Sequence, residues 1–219
     1  MKLWNKILDL LFPPKCAFCG GVLKKGEAAV CGKCGKELPF IPDPHVIHKG
    51  DYGRCAVSFY YEDMVETGIH GLKFGGRRHC AAHFATYLTQ SVAEHLSGEF
   101  DVVTFVPVSA KRLRERGYDQ SALLAEEMAN VWGVAVQPTL KKIRHTKAQS
   151  TIRTPEARRA NVLGAYAPLE GAEIEGKRLL LVDDVLTTGS TMSACVSVLR
   201  RAGAASVVCA ALATPREKR

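Results

Sequence analysis

The sequence predicts an α/β protein, a doubly wound parallel sheet with a small four-cysteine zinc module at its N-terminal end. Three features predict it. Short β-branched or leucine-rich runs alternate with stretches of helical periodicity from about residue 57 to residue 213, the pattern of a parallel sheet covered by helices on both faces. Four of the eight cysteines are spaced Cys16-x2-Cys19-x11-Cys31-x2-Cys34, two paired knuckles that suit one tetrahedral metal ion. An apolar run, 179–182, leads into Asp183-Asp184, a hydroxyl-rich loop and a further helix.

In chain order, residues 1–12 place Trp4, Ile7, Leu8 and Leu11 at helical spacing, interrupted by Lys6 and Asp9. The stretch lacks the uninterrupted apolar region and small-residue cleavage site of a signal peptide, so it reads as an amphipathic helix packed on the body. Residues 13–44 form the zinc module. Four thiolates leave no open coordination position, so the zinc is structural, and it supplies folding energy that so few residues cannot obtain from a core. Gly20 and Gly35 follow Cys19 and Cys34, allowing tight turns that aim N–H groups at sulfur. Pro39, Pro42 and Pro44 mark a linker, and 45–219 form the main domain.

There, 57–61 reads as a strand, with helices over 64–73 and 79–96 broken at Gly75-Gly76. A buried strand is expected over 101–108, a basic loop over 109–117, and a helix from 118 to 132 stopped by Gly133. Residues 134–143 form one extended element or two. Thr154-Pro155-Glu156 is a helix start, 162–166 a short strand, 177–182 the strand feeding the hydroxyl loop, 192–201 a helix and 206–213 the last strand. Cys195 and Cys209 fall in these core elements and act as small hydrophobes. No apolar run approaches the roughly 18–20 residues that span a bilayer. The cysteine usage and the absence of membrane insertion point to a cytoplasmic protein.

The loop after the two acids builds a phosphate site. It can present consecutive backbone N–H groups and the hydroxyls of Thr187, Thr188, Ser190 and Thr191, with the positive end of the next helix behind it. Gly189 permits close approach to an anion or a positive φ. Asp183 and Asp184 would repel that phosphate, so their place is at sugar hydroxyls a few ångströms away. The net charge is +8. Residues 107–160 hold eleven Lys/Arg against five acids, concentrated at 109–117 and 144–159, as neutralisation of an anionic ligand requires. Seven histidines form no metal motif. His79 and His83, at i and i+4, have no nearby acidic partner.

The strand–Asp-Asp–TTGST–helix order resembles the phosphoribosyl diphosphate signature of type I phosphoribosyltransferases. A second resemblance, to the ComF family of competence proteins, covers nearly the whole chain. It is carried by the CxxC pairs, Gly71-Leu72-Lys73-Phe74, Val106-Pro107-Val108, Arg116-Gly117-Tyr118-Asp119-Gln120, Gln149, Arg158-x2-Asn161-Val162 and the Asp-Asp loop. One departure is Asp119, where such sequences often carry Asn. The resemblance implies a type I phosphoribosyltransferase fold in which Asp183 and Asp184 hold the ribose hydroxyls and residues 187–191 the 5-phosphate. Lys111, Arg112 and Arg116 would meet the diphosphate, and Asp183, Asp184 and Arg112 carry the chemistry. Segment 144–160 would close over the substrate as a hood. Arg116 is equally readable as a pin for the Gly117 turn, and Lys73 as a solvated helix end.

The implied activity is Mg²⁺-dependent binding of phosphoribosyl diphosphate and phosphoribosyl transfer to an unidentified acceptor, in nucleotide metabolism or DNA uptake. No nucleophilic side chain is required. The rival reading is a non-catalytic factor of natural transformation that binds single-stranded DNA in the same basic groove and serves the DNA-uptake machinery. Tyr60, Tyr61, Phe74 and Tyr118 are the aromatic candidates for stacking.

Overall fold

The computed structural model describes residues 13–43, 46–144, 146 and 154–216. The expected helix over 1–12 and part of the expected hood, including Lys147, Gln149 and Arg153, lie outside the described residues.

After the first knuckle comes helix α1 (Gly32–Glu37). The body then runs β1 (Ile47–Gly50), β2 (Gly53–Tyr60), α2 (Asp63–Phe74), α3 (Cys80–His95), β3 (Val102–Phe105), α4 (Ala110–Arg116), α5 (Gln120–Trp132), β4 (Ala135–Val136) and β5 (Leu140–Lys142). It continues through α6 (Pro155–Val162), β6 (Tyr166–Pro168), β7 (Arg178–Val185), α7 (Ser190–Arg201) and β8 (Ser206–Thr214). A six-stranded sheet has the order β1-β2-β8-β7-β3-β4, and β5–β6 form a separate ribbon. All pairings in the large sheet are parallel except β1 with β2.

This order decides where a ligand sits. From β3 the chain crosses to β4 on one side, and from β7 it crosses to β8 on the other. Right-handed crossovers in opposite directions put α5 and α7 on opposite faces. The adjacent strands β3 and β7 therefore flank a switch point, and a crevice opens beyond their carboxyl ends. Leu179, Leu180, Leu181 and Val182 are fully buried between the two helical layers, which is why that strand reads as a continuous apolar run.

Several expectations need correction. Residues 110–116 form a helix, not a loop: Ser109 caps it, accepting from the Arg112 N–H at 3.4 Å, and Gly117 closes it at φ 75°. The strand predicted over 162–166 begins at Tyr166, because α6 runs to Val162 and a turn at Gly164 follows. Of the two readings left open for 134–143, the structure has the second, two strands, and they lie in different sheets. Strand β7 continues through both acids, with Asp183 paired to Ala211 and Val185 to Ala213. The antiparallel edge β1 is unpredicted, since Ile47-His48-Lys49-Gly50 carries no alternation of its own and depends on pairing with 53–56. The helix start at Thr154 stands: its hydroxyl accepts from the Ala157 N–H at 3.2 Å.

The zinc module is seated on the sheet domain. Phe18 is fully buried, with its ring 5.6 Å from Phe59, 5.1 Å from Phe84 and 5.9 Å from Tyr87. Gly68 of α2 permits this approach, because a methyl group there would lie 3.1 Å from Phe18 Cα and 3.2 Å from the Ala17 carbonyl oxygen. The Arg77 guanidinium packs over Gly71 and against Gly20, donating to the Thr67 carbonyl at 2.7 Å.

Candidate functional site

At the carboxyl ends of β3 and β7 lies a cavity of about 770 Å³. Its walls bring together Asp183 and Asp184 of β7, Thr187, Gly189 and Thr191 of the following loop and helix, and Arg112 and Arg116 of α4. Lys73 and Phe74 of α2, and Lys142 and Tyr166 of the ribbon, complete the set. Residues spread across more than 100 positions thus converge, and the parallel topology is the cause.

The acids are held unequally. The Ser121 hydroxyl donates to Asp183 Oδ1 at 3.0 Å, and the Asp184 N–H reaches the same oxygen at 2.8 Å. Burial, with the neighbouring Asp184 charge, raises the Asp183 carboxyl to about 7, against the opposing pull of Lys73. Asp184 is buried and meets the Lys73 ammonium at 2.8 Å through Oδ1. Its Oδ2 is buried with no hydrogen-bond partner. An unsatisfied buried carboxylate oxygen at a cavity wall is a costly feature that a ligand hydroxyl would relieve.

The hydroxyl loop is set by Gly189, which caps α7 at φ 72°. A side chain there would also strike Tyr52, whose Cε1 lies 2.3 Å from the position of an added Cβ. The Thr188 and Ser190 hydroxyls bond each other at 2.8 Å and brace the loop. Thr187, Gly189 and Thr191 face the cavity.

On the basic side, Arg112 and Arg116 are one helical turn apart and both line the cavity. Arg116 has two attachments: it donates to Gln120 Oε1 at 2.5 Å and lies 4.7 Å over the Phe74 ring. It therefore pins the Gly117 turn while bordering the site. Lys111 is exposed, stands 3.9 Å from Glu115 and is not among the lining residues. Asp119 is a brace. It caps α5 by accepting from Ser121 and Ala122 N–H, and its Oδ2 accepts from the Val108 N–H at 2.7 Å. The Tyr118 hydroxyl donates to the Leu72 carbonyl, tying this turn to the end of α2.

Lys73 is not a solvated helix end but the partner of Asp184. Lys142, unremarked within its basic cluster, also faces the cavity, and so does Tyr166. Ser121 is likewise invisible to motif reading. The only sequence signal for Lys73 is its place in Gly71-Leu72-Lys73-Phe74. At the base of the expected hood, Arg144 donates to the carbonyls of Asn161 and Leu163 at 3.0 and 2.8 Å, a bracing role.

At the N-terminal module, the Sγ atoms of Cys16, Cys19, Cys31 and Cys34 all lie within 4.8 Å of one another. The Cys19–Cys31 separation is 3.8 Å, and a tetrahedral zinc with thiolates at about 2.3 Å has edges of about 3.8 Å. Backbone N–H groups of Gly21, Cys31 and Cys34 point at Cys19, Cys16 and Cys31 sulfurs at 3.4 to 3.5 Å. Burial pushes the Cys16 thiol up, but N–H groups of Cys31, Cys19 and Phe18 outweigh it and bring it to about 7. The donor set fits zinc.

Comparison with known proteins agrees with both halves. Residues 118–219 match the phosphoribosyl transferase domain model, and residues 7–48 match the double zinc ribbon domain. The DNA utilization protein YhgH of Salmonella typhimurium is 31% identical over 88% of this chain and 86% of its own length. The chain belongs to the ComF-type family of phosphoribosyltransferase-domain proteins. Competence protein F of Haemophilus influenzae is 26% identical, over 87% of this chain and 80% of its own. Competence protein ComFC of Streptococcus pneumoniae is 28% identical over 68% and 63%. The zinc ribbon match and the cysteine geometry of this ComF-type chain together support a structural zinc. Among the described residues, no helix is long and apolar enough to cross a membrane.

Proposed function

We propose that the cavity binds Mg²⁺–phosphoribosyl diphosphate and transfers its phosphoribosyl group to an acceptor. The observation that carries this reading is the buried, unpartnered Oδ2 of Asp184, in a wall with hydroxyl-loop residues on one side and Arg112 and Arg116 on the other. Asp183 and Asp184 accept from the ribose 2- and 3-hydroxyls. The N–H groups at Gly189 and the start of α7, with the hydroxyls of Thr187 and Thr191, hold the 5-phosphate. Arg112 and Arg116 face the diphosphate, which brings its Mg²⁺ as a chelate that offsets part of its charge.

In the reaction, the bond from C1 of ribose to the diphosphate oxygen breaks as the acceptor's lone pair forms the new bond to C1. The electron pair leaves with diphosphate, and the acceptor loses its proton. Positive charge grows on the ring, and Arg112 stabilises negative charge on the leaving oxygens. The names of the relatives, a DNA utilization protein and competence proteins, support a context of DNA uptake or utilisation for this reading. The basic wall also suits a single-stranded DNA end, the second reading.

Calorimetric titration of zinc-loaded protein with Mg²⁺–phosphoribosyl diphosphate, beside Asp183→Asn/Asp184→Asn, tests the proposal. Saturable binding that the double variant loses supports it and opens an acceptor screen by diphosphate release. Absence of binding by the folded wild type refutes it. DNA affinity that falls steeply with salt favours the second reading.

A further inference from the structure

The ribbon contributes to the cavity a cation that the family resemblance does not assign. Lys142 and Tyr166 are direct cross-strand partners of β5 and β6, so their side chains project from the same face. The Lys142 ammonium donates to the Tyr166 hydroxyl at 3.0 Å and lies 4.9 Å from its ring centroid. Both side chains line the cavity, and Lys142 makes no ion pair among the described residues. A hydroxyl and a ring face orient the amine without neutralising it, which leaves its charge available to a ligand.

The groups facing it come from three packed elements and its own ribbon. Arg112 of α4 repels its charge, Asp183 of β7 and the Cys195 thiol of α7 favour it, and Arg144 repels it. Burial comes first among these influences, and with Arg112 it lowers the Lys142 ammonium to about 8. A partly buried amine with Arg112 as a neighbour and no ion pair among the described residues matches a wall that receives an anion from solution.

We infer that Lys142 is a diphosphate-contacting residue, supplied by the ribbon opposite the Arg112 helix and completing the cationic wall. The inference rests on the phosphoribosyl diphosphate reading above. It has a consequence that Arg112 and Arg116 cannot produce, because guanidinium groups stay protonated. Near pH 8 about half of the Lys142 amines are neutral in the free protein. Arrival of the diphosphate favours the charged form, so binding takes up a proton, roughly half a proton per site at that pH.

The test is calorimetry at pH 8 on the full zinc-loaded chain, in two buffers of different ionisation enthalpy. The probes are Mg²⁺–phosphoribosyl diphosphate, Mg²⁺–diphosphate and ribose 5-phosphate. Wild type should take up protons with the two diphosphates and not with ribose 5-phosphate. Lys142→Met should bind the diphosphates about 10- to 100-fold more weakly, the range for a lost charged hydrogen bond, with the uptake gone. Lys142→Arg should bind well without uptake, which also answers any folding defect in the methionine variant. If Lys142→Met binds the diphosphates as tightly as wild type, the inference falls while the ligand reading stands, and uptake that survives in Lys142→Arg assigns the proton to another group. If folded wild type binds none of the probes, both fall.

Discussion

Replacing Lys73 with methionine tests the link between the end of α2 and the acid pair Asp183-Asp184. The Lys73 and Asp184 side chains are 21% and 6% exposed, with 2.8 Å between Nζ and Oδ1. Removing one partner of a fully buried pair costs about 3–5 kcal/mol, because the other charge stays buried without compensation. Water reaches part of Lys73, so about 2–3 kcal/mol is expected here. With a urea m-value of about 2–3 kcal/mol per M for a chain of this size, the unfolding midpoint should fall by about 1 M. The assay is urea unfolding of zinc-loaded Lys73→Met, Asp184→Asn and the double variant. Because Asn leaves no charge to strand, the double variant should be less destabilised than the summed singles by at least about 1 kcal/mol. A midpoint within about 0.2 M of wild type, or strictly additive losses, would refute the pairing as an energetic link.

Four further outcomes follow from the geometry. Gly189→Ala must adopt φ near 72° and displace Tyr52, so it should lose at least about 2 kcal/mol of stability. Adding Tyr52→Ala should recover none of it if the Cβ clash is illusory. Asp183 keeps its proton in the folded chain up to about 7, against an ordinary 3.8. The folded state therefore binds more protons between those values, and stability from this group, full below about pH 4, is lost as pH rises towards 7. Asp183→Asn should flatten that slope in urea midpoints measured from pH 4 to 8, and an unchanged slope counts against the assignment. Chelating the zinc should release Phe18 from Phe59, Phe84 and Tyr87, raising hydrogen exchange in α2 as well as in the knuckles. Protection of α2 that survives chelation would show that the module is not its support. Asp119→Asn should keep the α5 cap through its carbonyl oxygen while setting an amide NH2 against the Val108 N–H. The expected loss is about 1–2 kcal/mol, read by thermal unfolding, and a neutral result would mean the side chain turns to another acceptor.

Much of the site was legible where its chemistry is contiguous. The two CxxC knuckles, the strand running into Asp183-Asp184 and the Thr187–Thr191 loop are local patterns, in which neighbours along the chain are neighbours in space. Their spacing therefore specifies donors, turn and helix N-terminus without help from the fold. The same locality located β2, α3, α5, β7 and β8 to within a few residues. It failed at 110–116, where a basic run of good helix formers carries no apolar face, and at β1, whose strand character comes from its pairing partner.

Tertiary structure alone decided the rest. Phe18 lies 41 to 69 residues from Phe59, Phe84 and Tyr87, Lys73 and Asp184 are separated by more than 100 residues, and no periodicity connects such pairs. They meet because β3 and β7 lie side by side with crossovers leaving in opposite directions, which opens the crevice and draws α2, α4 and the ribbon to its rim. Charge counting identified a basic region between residues 107 and 160. Only packing turned Lys111 to solvent, kept Arg112, Arg116 and Lys142 at the cavity, and made Asp119 a brace. Sequence spacing reports which groups a local backbone can present, whereas the direction each side chain faces is set by burial against elements far along the chain.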